Sequence, residues 1–508
     1  MRRSIMSFFI ILLAALAVGC KKVEDGDALN ISMEDYLSQY TYQNTKNILP
    51  TQGRVGITGI GDPHVFWDEA TDKYYMTGTY NGSSLYIWSS DDLTTWDSGN
   101  EIINYTQVQW AAKTNPGMWG AEIHKKGDTY YLYYSAWKND VDSPRIGVAT
   151  ANTVTGPYTD KGEPLFDFGF STIDNHLFVD SDNTPYFVFV RDALDNVVNG
   201  VHESHIYIVK VNDDWMSTEE FDNAVLLLKP DQSWEMVSGG NDWKWVEGPW
   251  IHKHEDKYYL FYSANKFSEV AYAIGYAVSA SPMGPYVKNN DNPLIYSMAD
   301  ELTGPGNNSF FYSKDHKELF TAYHMHTNYN NPSGNRFLNI DRIGFRDDGS
   351  VYFNGPSISN QPLPSGANQY HNLISKDANI EISSTLEGFN KNGINDGEVV
   401  YSAKNERYQW VANDSIEKSY VKISWDKEQT IYSIYIYQPL TVKYRSSKIN
   451  IEFSNGYKVN DVTLSQFIGE PSIIIFNEVK AGWVKVTVAE SGFGQQNFGL
   501  NEIMIFGK

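Results

Sequence analysis

The sequence predicts an all-β protein, a five-bladed β-propeller followed by a β-sandwich. Aromatic or alternating apolar runs recur five times: KYYMTGTY from Lys73, TYYLYYSA from Thr129, PYFVFV from Pro185, KYYLFYSAN from Lys257 and ELFTAYHMH from Glu318. Each follows a short polar turn (DEATD, KKGD, DSDNT, HED, SKDHK), which is the signature of a β-hairpin. Units of this size repeated five times suggest sheets arranged about an axis, four strands to a blade. IGVATAN with TGPYTD and IGYAVSA with MGPYVK repeat the same blade ending. A long sandwich of paired hairpins is the competing arrangement. Near residue 360 the composition shifts to SISNQPLPSGANQ, and shorter strands follow (SYVKISWD, TIYSIYIYQ, KINIEFSN, SIIIFNEV, GWVKVTVAE, GLNEIMIFGK), spaced as in a sandwich.

The N-terminus reads MRRSIMSFFIILLAALAVGC. Two arginines, a short apolar stretch and small residues make an export signal, too short and wrongly flanked for a membrane span. LAVGC resembles a bacterial lipobox. That resemblance implies cleavage before Cys20, lipidation of its thiol, and a protein carried across the inner membrane and held in the cell envelope, at the outer membrane or in the periplasm. A plain signal peptide with an incidental cysteine is the competing reading, although Cys20 is the sole cysteine of the chain. The expected division is a leader over 1–19, a polar tether over 20–55 with a short helix near Met33 to Gln39, the propeller over 56–360, a linker over 361–371 and the sandwich over 372–508.

The 508 residues carry 40 basic and 62 acidic side chains, a net charge of −22, which excludes nucleic acid as a partner because phosphates repel such a surface. The acids are scattered, as solubility requires. A monomer is expected, touching the membrane through its lipid anchor only.

In WVEGPW (245–250) a single carboxyl group, Glu247, stands between two indoles, Trp245 and Trp250. Two other acids hold equivalent places: Asp62 in GIGDPHVFWD and Asp174 in STIDNHLFVDSD. All three precede a short apolar strand and an acidic turn, and in a propeller such positions meet at the mouth of the axis. Glycosidic hydrolysis needs two carboxyl groups, one to protonate the leaving oxygen and one to activate water or attack carbon. The acid needs a raised pKa, which apolar walls and a neighbouring negative charge supply. Glu247 among its indoles suits the acid, Asp62 the base, and Asp174 a group that keeps Glu247 protonated. The competing reading is three turn or capping acids.

GDPHVFWD, WGAEIHKKGDTYYLYYSA, STIDNHLFVDSD and VEGPWIHKHEDKYYLFYSA together resemble glycoside hydrolase family 43 over about residues 56–360. The resemblance implies a five-bladed propeller and inverting hydrolysis, with the general base on Asp62, the pKa modulator on Asp174 and the general acid on Glu247. An inverting site separates base and acid by roughly 6.5–9.5 Å. The chain departs from the family pattern at Asn175, where a proline is often found, at MWGAE (118–122), and at Asn307 and Asn308, where a histidine is common; these changes bear on substrate more than on the three acids.

Trp67, Trp119 and Trp250 are candidates for stacking on sugar faces, with core packing as the alternative for each. Glu122 either lines the pocket or forms a structural pair, and Arg342 is a candidate ion-pairing residue near the pocket. His324, in AYHMHTN, is either a ligand for a calcium or other ion on the axis, as the resemblance implies, or a satisfied core histidine. No cofactor is needed for the chemistry. The C-terminal region resembles discoidin-like (coagulation factor C-domain) sandwiches of jelly-roll form, through NGINDGEVVYSA, SYVKISWD, INIEFSNG, AGWVKVTVAE and FGLNEIMIFG. It is either a carbohydrate-binding module, with Trp410, Tyr437 and Tyr444 as loop aromatics, or a packing domain.

The expected function is an inverting glycosidase that cleaves α-L-arabinofuranosidic or β-D-xylosidic bonds of plant polysaccharides or their oligosaccharides. The alternatives are a galactan-active enzyme of the same family, a non-catalytic surface glycan-binding lipoprotein, and a retaining relative of the fructan hydrolases. Loops 101–118, 191–205 and 230–245 are expected to set specificity.

Overall fold

The computed structural model describes residues 21–22, 31–44, 59–93, 95–298, 302–326, 332 and 336–508. Cys20 and the leader lie outside them. The described chain falls into two compact units. One comprises Tyr36–Leu373, Glu398–Tyr401 and Lys508, and the other Ile374–Gly397 and Ser402–Gly507 with the described residues before Tyr36.

The first unit holds five four-stranded antiparallel sheets, each a simple meander. Their first strands are Gly61–Asp68, Met118–Lys126, Thr172–Val179, Val246–His254 and Thr303–Tyr312. The five aromatic runs read from the sequence are the second strands: Lys73–Thr79, Thr129–Trp137, Pro185–Arg191, Lys257–Ala264 and Leu319–His326. The acidic turns tie each hairpin. In the first, Asp68 Oδ2 accepts from the Thr71 amide at 3.0 Å and from its hydroxyl at 2.8 Å, the local bonding that makes aspartate a turn residue.

The aromatic second strands exist because every sheet is covered on both faces. One apolar cluster joins the first and second sheets, a further one the second and third, and so on around to the fifth. The last returns from the fifth to the first, through Val65, Tyr74, Met76, Phe311, Phe320 and Leu338. The five sheets therefore close on one another, and their first strands face a common interior.

All five first strands carry the same irregularity. Pairing with the second strand breaks between Gly61 and His64, Trp119 and Glu122, Ile173 and His176, Glu247 and Trp250, and Gly306 and Ser309. The first residue of each break has a left-handed backbone: Asp62 (φ 51°), Gly120 (62°), Asp174 (52°), Gly248 (56°) and Asn307 (51°). These are bulges, which re-aim side chains at the cost of local pairing. Glycine, asparagine and aspartate are the residues that tolerate this conformation.

The helix expected near Met33 spans Met33–Tyr40. Ser32 caps it, its hydroxyl accepting from the Asp35 amide at 3.0 Å and donating to Asp35 Oδ2 at 2.7 Å. The tether expected over 20–55 is corrected here, because Tyr36, Tyr40, Tyr42 and Asn44 are buried. Thr41–Tyr42 pairs with Gln361–Pro362. Asn44 Nδ2 donates to the Ile340 carbonyl at 3.1 Å, and the Ile340 amide donates back to Asn44 Oδ1 at 3.0 Å. The linker expected over 361–371 is likewise part of this unit, with Leu363, Ser365 and His371 buried. Tyrosines spaced among polar residues look like a tether until their partners, far away in the chain, are known.

Arg342 holds that segment. Its guanidinium donates to Glu318 at 2.7 and 3.2 Å, to the Pro362 carbonyl at 3.0 Å and to the Leu363 carbonyl at 3.1 Å. Its role is structural.

In the second unit, the main sheet runs in the order Glu502–Gly507, Tyr420–Tyr437, Ser472–Ser491, Ser446–Phe453, Lys458–Thr463. The two long strands lose register between Ser424 and Gln429. Val421 and Ile423 before the break share one core with Ile431, Ile434 and Ile436 after it, so the sheet bends there and both halves cover the same interior. Trp410, Tyr437 and Tyr444 are buried, which removes them as exposed loop aromatics.

Replacing Arg342 with methionine leaves Glu318 buried and unpaired. The expected loss is about 3–5 kcal/mol of stability, with KM unchanged in the fraction that stays folded. Urea unfolding and steady-state kinetics on the same preparation check both.

Candidate active site

The bulges of the first and third sheets bring Asp62 and Asp174 to one cavity of about 390 Å³. Glu247 joins them from the residue before the fourth bulge. Thr79, Trp119, Phe267, Tyr272, Asn307 and Arg336 share the lining. The three acids read from the sequence are thus brought together, and Trp119 with them.

Their surroundings differ. Asp62 is saturated with donors. Arg336 Nη1 donates to Oδ1 at 2.8 Å, Asn307 Nδ2 to the same oxygen at 3.0 Å, and the Thr79 hydroxyl to Oδ2. Its amide donates to His324 Nδ1 at 3.2 Å. Asp174 Oδ2 accepts from the Gly248 amide at 2.8 Å, a bond across two sheets. Burial, and then the charge of Asp62, raise Asp174 to about 7 against that bond. Glu247 Oε1 accepts from the Tyr272 hydroxyl at 2.8 Å. Burial and the neighbouring Asp174 hold its carboxyl well above the usual range, with the Tyr272 bond pulling the other way. The site therefore presents one carboxylate bonded entirely by donors and one carboxyl group that keeps its proton, the division that acid–base hydrolysis requires.

Tyr272 and Arg336 are the residues that sequence reasoning missed. Tyr272 is buried, stacks on His324 with centroids 5.8 Å apart at 12°, and lies so close to Gly306 that a Cβ there would sit 1.8 Å from its ring. Arg336 also lies over the Phe267 ring at 5.2 Å. The sequence pointed to Arg342 on the same strand. Six residues at about 3.3 Å each put the two about 20 Å apart along the strand, with Arg336 at the cavity end, opposite His326, and Arg342 opposite Phe320. The even spacing that places both on one face of the strand says nothing about which end meets the axis.

Other candidates fall elsewhere. Trp67 is half-buried against Tyr74, with Lys314 Nζ 4.8 Å from its ring, away from the cavity. Trp250 lines a smaller adjoining chamber of about 30 Å³, which shares Asp62, Asp174 and Asn307 with the cavity, and packs on His176 at 4.2 Å. Trp245 stacks on Trp243, which stacks on His202. The indoles on either side of Glu247 in the chain are thus engaged with other rings, and the direct partner of its carboxyl group is a tyrosine.

Glu122 lines the smaller chamber as a structural pair. Its Oε1 accepts from His124 Nε2, from His176 Nδ1 at 3.1 Å and from the Leu177 amide at 3.2 Å. Burial opposes its ionisation, but His176 and His124 together bring it well below the usual carboxylate range. His64, Glu122 and His124 place one ligand atom each within 4.8 Å of one another. Two imidazoles and a carboxylate suit a borderline divalent metal rather than calcium, which takes six to eight oxygens. At His324, Nδ1 accepts from the Asp62 amide at 3.2 Å and stands 3.5 Å from Asp62 Oδ1, while the buried Nε2 has no hydrogen-bond partner.

The sequence profile described as Glycosyl hydrolases family 43 matches residues 57–351, more than half of the chain and the whole of this site. The chain belongs to glycoside hydrolase family 43. As a member of that family it is a glycosidase. A crystal structure of a thermostable family-43 glycoside hydrolase is 37% identical, with a TM-score of 0.57, covering 63% of this chain and all of the other. The β-D-galactofuranosidase xynD of Aspergillus niger is 28% identical over 299 residues, 55% of this chain and 78% of the relative. The extracellular exo-α-(1→5)-L-arabinofuranosidase of Streptomyces avermitilis is 27% identical over 325 residues, 58% of this chain and 61% of the relative. Beyond the family 43 region, residues 373–506 match a profile described as a domain of unknown function, DUF7402.

Two outcomes are expected at this site. Tyr272→Phe removes the bond that lowers Glu247, so the basic limb of kcat/KM moves to higher pH while kcat falls about tenfold, the loss of a hydrogen bond that becomes charge-assisted only as Glu247 gives up its proton; pH–rate profiles read both. Asp174, protonated in the fold where the unfolded chain's aspartate is ionised, makes the native state lose stability as pH rises from the unfolded value towards about 7. Asp174→Asn removes that contribution, so its melting temperature gains on the wild type between about pH 4 and pH 7, although activity falls; melts at several pH values test it.

Proposed function

We propose that the protein is an inverting glycosidase releasing α-L-arabinofuranosyl or β-D-xylosyl units from plant polysaccharides or their oligosaccharides. Glu247 is the general acid that protonates the leaving oxygen. Asp62 is the general base, drawing a proton from water as that water attacks the anomeric carbon. Asp174 keeps Glu247 protonated and, through the Gly248 amide, fixes the bulge beside it. The observation that carries this reading is the contrast between two carboxyl groups in one cavity, Asp62 bonded by three donors and Glu247 raised by burial and Asp174. A glycan-binding module has no use for that contrast. Arg336 holds Asp62 in place and Trp119 offers a ring to the sugar.

The arabinofuranosidase and galactofuranosidase names of the relatives support a five-membered ring in the cavity, and galactofuranosides are the second substrate class to assay. The five meander sheets closing on one another support a five-bladed propeller. The bent sheet over a single core supports a discoidin-like sandwich for the C-terminal unit. Export and lipidation at Cys20 rest on the LAVGC sequence. No step runs through an ion; His64, Glu122 and His124 are one set of groups that could hold one, and the unpartnered Nε2 of His324 is another.

The test is release of 4-nitrophenol from the α-L-arabinofuranoside, the β-D-xyloside and the β-D-galactofuranoside. Glu247→Ala and Asp62→Ala are each expected to lower kcat about a thousandfold, with the first product anomer of inverted configuration by NMR. Retention of configuration would remove Asp62 as a general base, and unchanged rates in both variants would remove the site.

A further inference from the structure

The loop of residues 265–272 joins the second and third strands of the fourth sheet, Lys257–Ala264 and Ala273–Ser279. It brings two rings to the cavity, Phe267 and Tyr272. Tyr272 is buried and bonds Glu247. Phe267 has no polar atom on its side chain and is 42% exposed. A phenyl ring gains from burial, so one left open at the mouth of a reaction cavity needs a reason.

A slack loop would fold such a ring away. This loop is braced from both flanks. Asn265 is buried, with a left-handed backbone (φ 78°). Its Oδ1 accepts from the Val237 and Ser238 amides at 2.9 and 3.0 Å, and its Nδ2 donates to the Trp234 and Ala271 carbonyls at 2.7 and 2.9 Å. The Lys266 amide donates to the Ser238 hydroxyl at 3.1 Å. From the fifth sheet, His326 Nε2 donates to the carbonyl of Phe267 itself at 2.6 Å. The Ser297 hydroxyl donates to the Val270 carbonyl at 2.6 Å. The ring is therefore held in the open by its own backbone and by that of its neighbours.

Arg336, which bonds Asp62, lies over the ring at 5.2 Å and shields one face of it. The apolar surface continues onto the adjoining loop, where Met236 and Val237 are exposed, Val237 to 66%. A rigid apolar surface continuous with a polar cavity marks a place for a ligand. A phenyl ring can neither move a proton nor hold an ion by charge. It offers a flat face, which suits the C–H face of a sugar ring.

The position of the ring says which sugar. The bond to be cleaved lies between Asp62 and Glu247, and the leaving group departs towards Glu247, the acid. Glu247 belongs to the fourth sheet, and Phe267 stands on a loop of that same sheet, ahead of the tyrosine that bonds the acid. Trp119, the ring given to the released sugar, comes from the second sheet.

We propose that Phe267 is the platform for the leaving-group side of the substrate, the sugar ring attached to the released unit. The inference rests on the glycosidase reading of the cavity. A phenyl face reads flatness and no pattern of hydroxyl groups. The platform therefore favours substrates whose leaving group contains a ring, and it tolerates different sugars there.

The test compares three substrates of the same released sugar, in the α-L-arabinofuranosyl and β-D-xylosyl series: the glycosyl fluoride, whose leaving group has no ring, the 4-nitrophenyl glycoside and a disaccharide. Phe267→Ala is expected to lower kcat/KM for the two ring-bearing substrates about tenfold relative to the fluoride, the loss of one stacked ring. Phe267→Tyr, which keeps the face, is expected to keep the wild-type ratios. An equal loss on all three substrates would mean that the ring serves only to cover Arg336, and overturns the proposal. So do unchanged ratios in Phe267→Ala, or ratios that Phe267→Tyr lowers as far as alanine does. Inactivity of the wild type on all three removes the glycosidase reading and the platform with it, whereas activity with unaltered ratios removes the platform alone.

Discussion

The active site depends on a break in strand pairing. A β-strand sends successive side chains to opposite faces, so a residue on an unbroken first strand would pack against the neighbouring sheet rather than face the axis. The two-residue bulge, repeated in all five sheets, turns the backbone left-handed at one residue and opens the interior to its side chain. Where that residue is glycine, at 120 and 248, the bulge supplies space and an amide; where it is Asp62, Asp174 or Asn307, it supplies chemistry. One backbone device thus serves as scaffold in two sheets and brings cavity-lining polar side chains into place in the others.

The electrostatics follow from how few donors the axis can offer. Three carboxyl groups share a cavity with one guanidinium, and that guanidinium bonds Asp62. Asn307 and Thr79 bond it too. Little is left for the other two: Asp174 receives one backbone amide and Glu247 one phenol. Burying a carboxylate without compensating donors raises its pKa, so the uneven supply decides which group holds a proton. His324 and Tyr272, stacked on each other, bond the backbone of Asp62 and the side chain of Glu247. They form a buried rib between the two carboxyl groups.

Much of this was legible in the sequence. Hairpin turns and aromatic runs are local, and they located the second strand of each sheet. The three acids could be found because their motifs share a position in the repeat. Arg336, Tyr272 and the burial of Tyr36 to Asn44 could not, for a common reason. Each depends on contacts between segments far apart in the chain, and a one-dimensional pattern fixes the face of a strand but not the end of it that meets the axis. Trp67 and Arg342 fall away from the cavity on the same ground, as residue types that suit a sugar site equally suit a core. Trp410, Tyr437 and Tyr444 read as loop aromatics in the sequence and are buried in the fold, because the sequence shows that a residue is aromatic without showing that it is covered.

The segment that closes the ring also sets an order of events. Asn44 meets Ile340 across 296 residues of chain, and Tyr42 meets Asp341 across 299. In a chain that emerges N-terminus first, Tyr36, Tyr40 and Tyr42 are made before nearly every residue that will cover them. The ring cannot close until the fifth sheet and Gln361–Pro362 have followed. Four sheets can assemble on their neighbours as they appear, but the interface between the fifth and the first waits for the end of the unit. A chain cut short before residue 362 keeps Asp62, Asp174 and Glu247 and loses the seam that holds their sheets in a circle.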